Sequence, residues 1–218
     1  MNNSTPIRTR MTMALFAGAA VAALAAPAAH AAVVYVNRTA TPLLIPNSID
    51  GVYFNIVTGV TGSSGAQVPG WDINPYNNGA GLTLYGAASP QGILATGTPG
   101  TGAVATRLTF GATIGPSGQY NQFQTLGTAI QGVSGLSYIG LRFTNESTGA
   151  ANYAWAEFQT TAGDGFPAAL LRYAYENTGV AITAGSVGVV PEPSTFAMFG
   201  LALAGAAGFS AMRRRRQG

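Results

Sequence analysis

The chain has 218 residues, 47% of them hydrophobic and only 8% charged, with 30 glycines and no cysteine, so it can bury one core of single-domain size without disulfides. Its formal charge of +3 is carried by the ends: Arg8, Arg10, Arg213, Arg214, Arg215 and Arg216 lie outside the stretch 32–190, which sets four arginines against six carboxylates, a net −2. No basic surface for phosphates is left, so no nucleic-acid partner is expected. Lysine is absent and His30 is the one histidine, which excludes from 32–190 a Ser-His-Asp or Cys-His nucleophile, a Schiff base and a His/Cys zinc site. No cofactor and no catalytic metal are expected.

Two arginines without an acid, an apolar stretch centred on 14–26 and the small-x-small series Ala29-His30-Ala31 predict a signal peptide over 1–31. Cleavage is expected between Ala31 and Ala32, with the Sec translocon and signal peptidase as partners. The alternative, an uncleaved anchor helix, sits poorly with Pro27 and the Ala-x-Ala site.

From 32 to 188 the chain reads as an exported all-β domain, because period-2 alternation recurs between Gly, Pro, Asn and Ser turn signals. The expected strands include AVVYVN (32–37), GVYFNIVTG (51–59), GLTLYG (81–86), TRLTFGATIGP (106–116), SYIGLRFTN (137–145), NYAWAEFQT (152–160), ALLRYAYEN (169–177) and VAIT (180–183). In the second, Val52, Phe54 and Ile56 alternate with Tyr53 and Asn55. In the fourth, Leu108, Phe110, Ala112 and Ile114 share one face. No window offers a convincing amphipathic helix, and parallel crossovers would need one, so an antiparallel β-sandwich or jelly-roll-like domain is expected.

PGWDINPYNNG (69–79) reads as a loop bounded by Pro and Gly and is the candidate ligand site. Trp71 and Tyr76 would stack on sugar rings, while Asp72, Asn74, Asn77 and Asn78 offer short oxygen ligands for hydroxyls or Ca²⁺. The competing reading is a turn that packs Trp71 and uses its Asn and Asp side chains locally. The glycine-rich stretches 58–70 and 96–102 lack a phosphate-loop lysine and read as turns.

Carboxylate pairs are the catalytic device that remains. Glu157 shares its expected strand face with Tyr153 and Trp155, and Glu176 is a second candidate. Arg172, four residues before Glu176 on the same face, is expected to pair with it. Arg142 or Arg107 on a neighbouring strand would pair with Glu157. No enzymatic activity is expected, and no catalytic residue is assigned.

Toward the C-terminal side, Pro191-Glu192-Pro193 keeps the backbone extended and is followed by eighteen uncharged residues, 195–212, long enough to span a bilayer. Arg213 to Arg216 then act as a stop-transfer lock, held on the cytoplasmic side. Val-Pro-Glu-Pro-Ser at 190–194, the apolar run and the arginine cluster resemble the PEP-CTERM sorting signal, placed here at 189–218. That resemblance implies recognition by an exosortase, transient anchoring in the inner membrane of a Gram-negative bacterium, and delivery to the cell surface or extracellular matrix. SYIGLRFTN, NYAWAEFQ and ALLRYAYENTGVAITAG also resemble a recurrent ectodomain of PEP-CTERM proteins, with Ala154 where glycine is usual. The resulting expectation is a structural or adhesive protein of an exopolysaccharide or biofilm layer. The alternatives are a glycosidase-like enzyme using Glu157 and a Ca²⁺-dependent lectin using Asp72.

Overall fold

A computed structural model of the chain describes residues 33–88, 91–96, 104–125, 128–132 and 134–188. The expected signal peptide with Ala29, Ala31 and Ala32, most of the glycine-rich stretch 96–102, and the sorting segment with Pro191, Glu192, Pro193, the run 195–212 and Arg213 to Arg216 lie outside the described residues.

The first seven strands are β1 (Val33–Asn37), β2 (Leu43–Ile45), β3 (Tyr53–Phe54), β4 (Thr61–Gly62), β5 (Ile73–Asn77), β6 (Leu82–Gly86) and β7 (Gly92–Thr96). The shorter β8 (Val104–Ala105), β9 (Thr113–Ile114), β10 (Tyr120–Asn121) and β11 (Phe123–Thr125) come next, then one helical turn, α1 (Thr128–Gln131). Three long strands, β12 (Gly135–Asn145), β13 (Ala150–Thr160) and β14 (Ala168–Glu176), precede the short β15 (Ile182–Thr183). The protein is therefore all-β with almost no helix among the described residues. Its strand pairs are antiparallel apart from β8 with β11.

One continuous sheet runs β1-β14-β13-β12-β7-β8-β11-β6-β5-β3-β4, with β2 added to β14 and β10 to β7. Its two halves share one core: Phe54, Ile73, Leu82 and Leu84 from the β3-β5-β6 half join Ile139, Leu141, Phe143, Ala154, Ala156, Phe158, Leu170 and Tyr173 from the β12-β13-β14 half. Phe54 and Tyr173 meet edge to face across it, centroids 5.1 Å apart. The other face of β12-β14 carries a second cluster of Ile114, Tyr153, Trp155, Ala174, Ile182 and Ala184, covered by the small β9-β15 sheet. Both faces of the long strands are buried over much of their length, which is why β13 shows no simple alternation of burial.

Strict alternation would have put Leu170 and Tyr173 on opposite faces, yet both point into the main core. A register shift between Glu157 and Phe158 resolves this: Glu157 pairs with Arg172 while Phe158 pairs with Leu170, leaving Leu171 as the extra residue of a β-bulge. Leu171 uses its carbonyl outside the ladder, accepting from the Arg38 amide at 2.7 Å. Arg172 is thereby placed on the outer face directly opposite Glu157.

Two strand expectations are corrected. TRLTFGATIGP is not one strand: a single bridge joins Leu108 to Tyr138, the chain turns at Phe110 and Gly111, and only Thr113–Ile114 re-forms a ladder. Gly111 adopts φ +83° in that turn and throws Phe110 to 76% exposure instead of the shared face with Leu108. The segment 69–79 is not wholly a loop either, because Ile73–Asn77 is a strand between β3 and β6. Pro75 is tolerated there because its carbonyl still accepts from the Val52 amide at 3.1 Å.

Candidate functional site

Along β5 and β6 the register sets Asn74 opposite Tyr85 and Tyr76 opposite Thr83, with Ile73, Pro75, Leu82 and Leu84 turned the other way into the core. Tyr53 precedes the buried Phe54 and faces the same outer side. Trp71, just before β5, packs over this face. Its ring lies 4.8 Å from Tyr53 at 89° and 5.8 Å from Tyr85 at 32°. Tyr53, Trp71, Tyr76 and Tyr85 are all half-buried, so one sheet face carries four aromatic side chains that are supported from below and open to solvent above. Burial, then the neighbouring Tyr85 and Tyr53, raises the Tyr76 phenol above its ordinary pKa, so the platform is uncharged at neutral pH. Gln122 donates to the Tyr85 hydroxyl at 3.2 Å.

Buried polar groups hold this platform in place. The Asn55 amide oxygen accepts from the amides of Val57 and Thr58 at 2.9 and 2.8 Å. Its amide nitrogen donates to the carbonyls of Pro69 (3.2 Å) and Gly70 (2.7 Å) and to Glu146 Oε1 (2.6 Å). Gly70 is required here: its φ is +64°, and a Cβ would collide with Glu146 Oε1. Asp72 Oδ2 accepts from the Ile56 amide at 2.7 Å, while the buried Oδ1 has no hydrogen-bond partner. Burial above all, opposed by the Ile56 hydrogen bond and reinforced by the charge of Glu146, raises the Asp72 pKa from 3.8 to about 8. These contacts tie the turn after β3 to the segment that carries Trp71.

The sequence candidates thus divide. Trp71 and Tyr76 stand on the accessible face. Asp72 is 1% and Asn74 4% exposed, and both belong to the frame beneath. Asn74 donates to the Asp50 carbonyl, and Asn77 and Asn78 accept from backbone amides of the turn beyond them. Sequence reasoning missed Tyr53 and Tyr85, although both alternate with core residues in GVYFNIV and GLTLYG. It also placed Asn55 outward, where the structure buries it. Among the described residues no group of three or more His, Cys, Asp or Glu side chains gathers for a metal ion.

The carboxylate pair resolves differently from expectation. Glu157 is 1% exposed and bound at both oxygens by Arg172, Nε to Oε2 at 2.6 Å and Nη2 to Oε1 at 2.8 Å. Arg172 does not pair with Glu176, because four residues along one strand span about 13 Å whereas the directly opposite residue lies about 5 Å away. Arg107 and Arg142 do not pair with Glu157 in the way expected. Arg107 donates to the Leu136 carbonyl at 3.1 Å, and the Arg142 guanidinium lies 4.7 Å from the Tyr120 ring centroid. The hydrogen bond from Glu157 raises the Arg172 pKa further, so the pair stays ionised.

Glu176 is buried as a local staple, accepting from the amides of Thr178 (2.7 Å) and Val180 (2.9 Å) and from the Thr178 hydroxyl (2.5 Å). Replacing it with Ala orphans those donors. Glu176→Ala is expected to lose about 2 kcal/mol and to speed amide exchange at Thr178 and Val180 at least tenfold, read by hydrogen-exchange NMR.

The described part of the molecule is thus an antiparallel all-β domain whose most developed site is an aromatic sheet face rather than a nucleophile. The segment directly behind the domain identifies the kind of protein: residues 189–216 match the PEP-CTERM protein-sorting motif. The motif implies exosortase-dependent sorting, with export and membrane-associated processing. Comparisons with curated proteins and with solved structures gave no match.

Proposed function

We propose that the protein is a non-enzymatic, structural or adhesive component of the cell surface or extracellular matrix, and that Tyr53, Trp71, Tyr76 and Tyr85 contact polysaccharide. The observation that carries this reading is the grouping of four half-buried aromatic rings on one sheet face. Sugar rings present flat C–H faces, and aromatic rings held edge-on and tilted by a rigid sheet meet them with little loss of conformational entropy. The few charges of the domain suit a neutral or weakly charged glycan and weak, multivalent contact within a gel-like layer. Delivery would begin with signal peptidase and the Sec translocon and end with exosortase at the outer surface of a Gram-negative inner membrane.

The test is affinity electrophoresis and calorimetry against exopolysaccharide from a producing bacterium. Trp71→Ala and Tyr85→Ala are each expected to weaken binding about tenfold or more, a loss of about 1.4 kcal/mol. Ile49→Ala, at an exposed apolar position away from the platform, should leave it unchanged. Equal binding by all three variants would remove the platform from the reading.

A further inference from the structure

The outer face of the long strands is covered by β9-β15 over Trp155 but not at its other end. Register places Leu44 opposite Ala169, Ala169 opposite Gln159, and Gln159 opposite Leu136, so these four side chains form one row across β2, β14, β13 and β12. Leu44 is 72% and Leu136 46% exposed. Phe110 extends the row, since the Leu108–Tyr138 bridge sets the two chains antiparallel and brings position 110 toward 136. Its ring lies against Gly185, where a Cβ would stand 2.5 Å from the Phe110 ring, and Val187 two residues on is 57% exposed. Arg107 flanks the row, held to the Leu136 carbonyl with the rest of its side chain in solvent. Leu44, Phe110, Leu136 and Val187 thus form a solvent-facing apolar strip with a guanidinium at its margin.

The chain leaves the domain on this same face. The Trp155 indole donates to the Ser186 carbonyl at 2.9 Å, and Gly188 packs on Val33, which faces the outer cluster. Six residues, 189–194, then separate the last described position from the uncharged run that begins at Thr195. Fully extended, they reach about 20 Å, no more than the width of the face itself. A membrane that holds the run is therefore within reach of the strip. A strip of Leu, Phe and Val edged by Arg matches the boundary between acyl chains and headgroups, with the guanidinium at phosphate level.

We propose that this strip docks the domain against the phospholipid surface while the sorting segment is engaged. The docked domain shortens the free path of 189–194 and presents Pro191-Glu192-Pro193 close to the membrane plane, where an integral-membrane processing enzyme works. The full chain reconstituted into phosphatidylethanolamine/phosphatidylglycerol vesicles tests this. Phe110→Trp is compared with Ile49→Trp, each read as added tryptophan emission above that of the parent protein. With brominated acyl chains, the emission of Phe110→Trp is expected to fall at least twofold and that of Ile49→Trp to stay within about a tenth. Equal quenching of the two overturns the proposal. So does protection of Phe110→Trp from bromine combined with a doubled mass by sedimentation in detergent, which would assign the strip to a second copy of the chain.

Discussion

Arg172→Met is expected to cost the domain about 2–3 kcal/mol and lower its melting temperature by roughly 8 °C, whereas Arg172→Met combined with Glu157→Met should recover most of the loss. The asymmetry arises from burial. Glu157 is 1% exposed, so removing its partner leaves a charge in the sheet with nothing to balance it. The Arg172 side chain is 35% exposed, so its own desolvation is modest and water softens the penalty, which places the expected value at the low end for a buried pair. Replacing both groups deletes the charge together with its counter-charge and leaves two flexible apolar side chains beside Tyr35, Tyr138 and Trp155. A double-mutant cycle by chemical denaturation measures the coupling. A double variant as unstable as the sum of the singles would show that the pair acts through something other than charge balance.

The Arg172–Glu157 pair also marks where the sequence stopped being legible. The strands themselves were readable because Phe143, Tyr173 and Tyr175 and their neighbours keep the period of two, and the three long strands fall where the alternation puts them. The bulge at Leu171 was not readable, because one extra residue changes which partner stands opposite without altering composition. With the bulge unseen, the nearest acid along the chain looked like the partner, although pairing in a sheet runs across strands and not along them. Phe110 failed for a related reason: alternation persists in the letters TRLTFGATI, but the backbone of Gly111 breaks it. β5 was hidden because Pro75 and three asparagines belong to turn chemistry, and only the neighbours β3 and β6 make that segment a strand. The aromatic platform was half visible. Trp71 and Tyr76 stood out in a polar segment, while Tyr53 and Tyr85 sat in strands where aromatic residues are ordinary, and only sheet order brings the four together. The sorting segment, by contrast, is recognised as linear sequence, so no fold was needed to read it.

The second large effect concerns pH. Stability is expected to fall as pH rises from about 4 to about 8, and Asp72→Asn should flatten the dependence. The Asp72 pKa is raised in the folded protein, chiefly by burial, from 3.8 to about 8. Across that interval the folded state retains a proton that the unfolded state has released, so each step up in pH favours unfolding. The stability tied to this proton is fully present below pH 3.8 and is lost as pH passes through the folded value near 8. The interval corresponds to about 5 kcal/mol at most, reduced by whatever relaxation lets water reach the carboxylate. No histidine, cysteine or lysine occurs between 33 and 188, so the usual groups that titrate near neutrality are missing from the domain and the slope can be assigned. Urea denaturation at pH 5 and pH 8.5, monitored by tryptophan emission, measures it directly. Because the Asp72 backbone joins Trp71 to β5, charging this carboxylate should also loosen the platform before the domain unfolds. Trp71 should then become more accessible to iodide above pH 8 in the parent protein but not in Asp72→Asn. A pH-independent midpoint in the parent would mean that Asp72 keeps its charge and finds a partner for Oδ1.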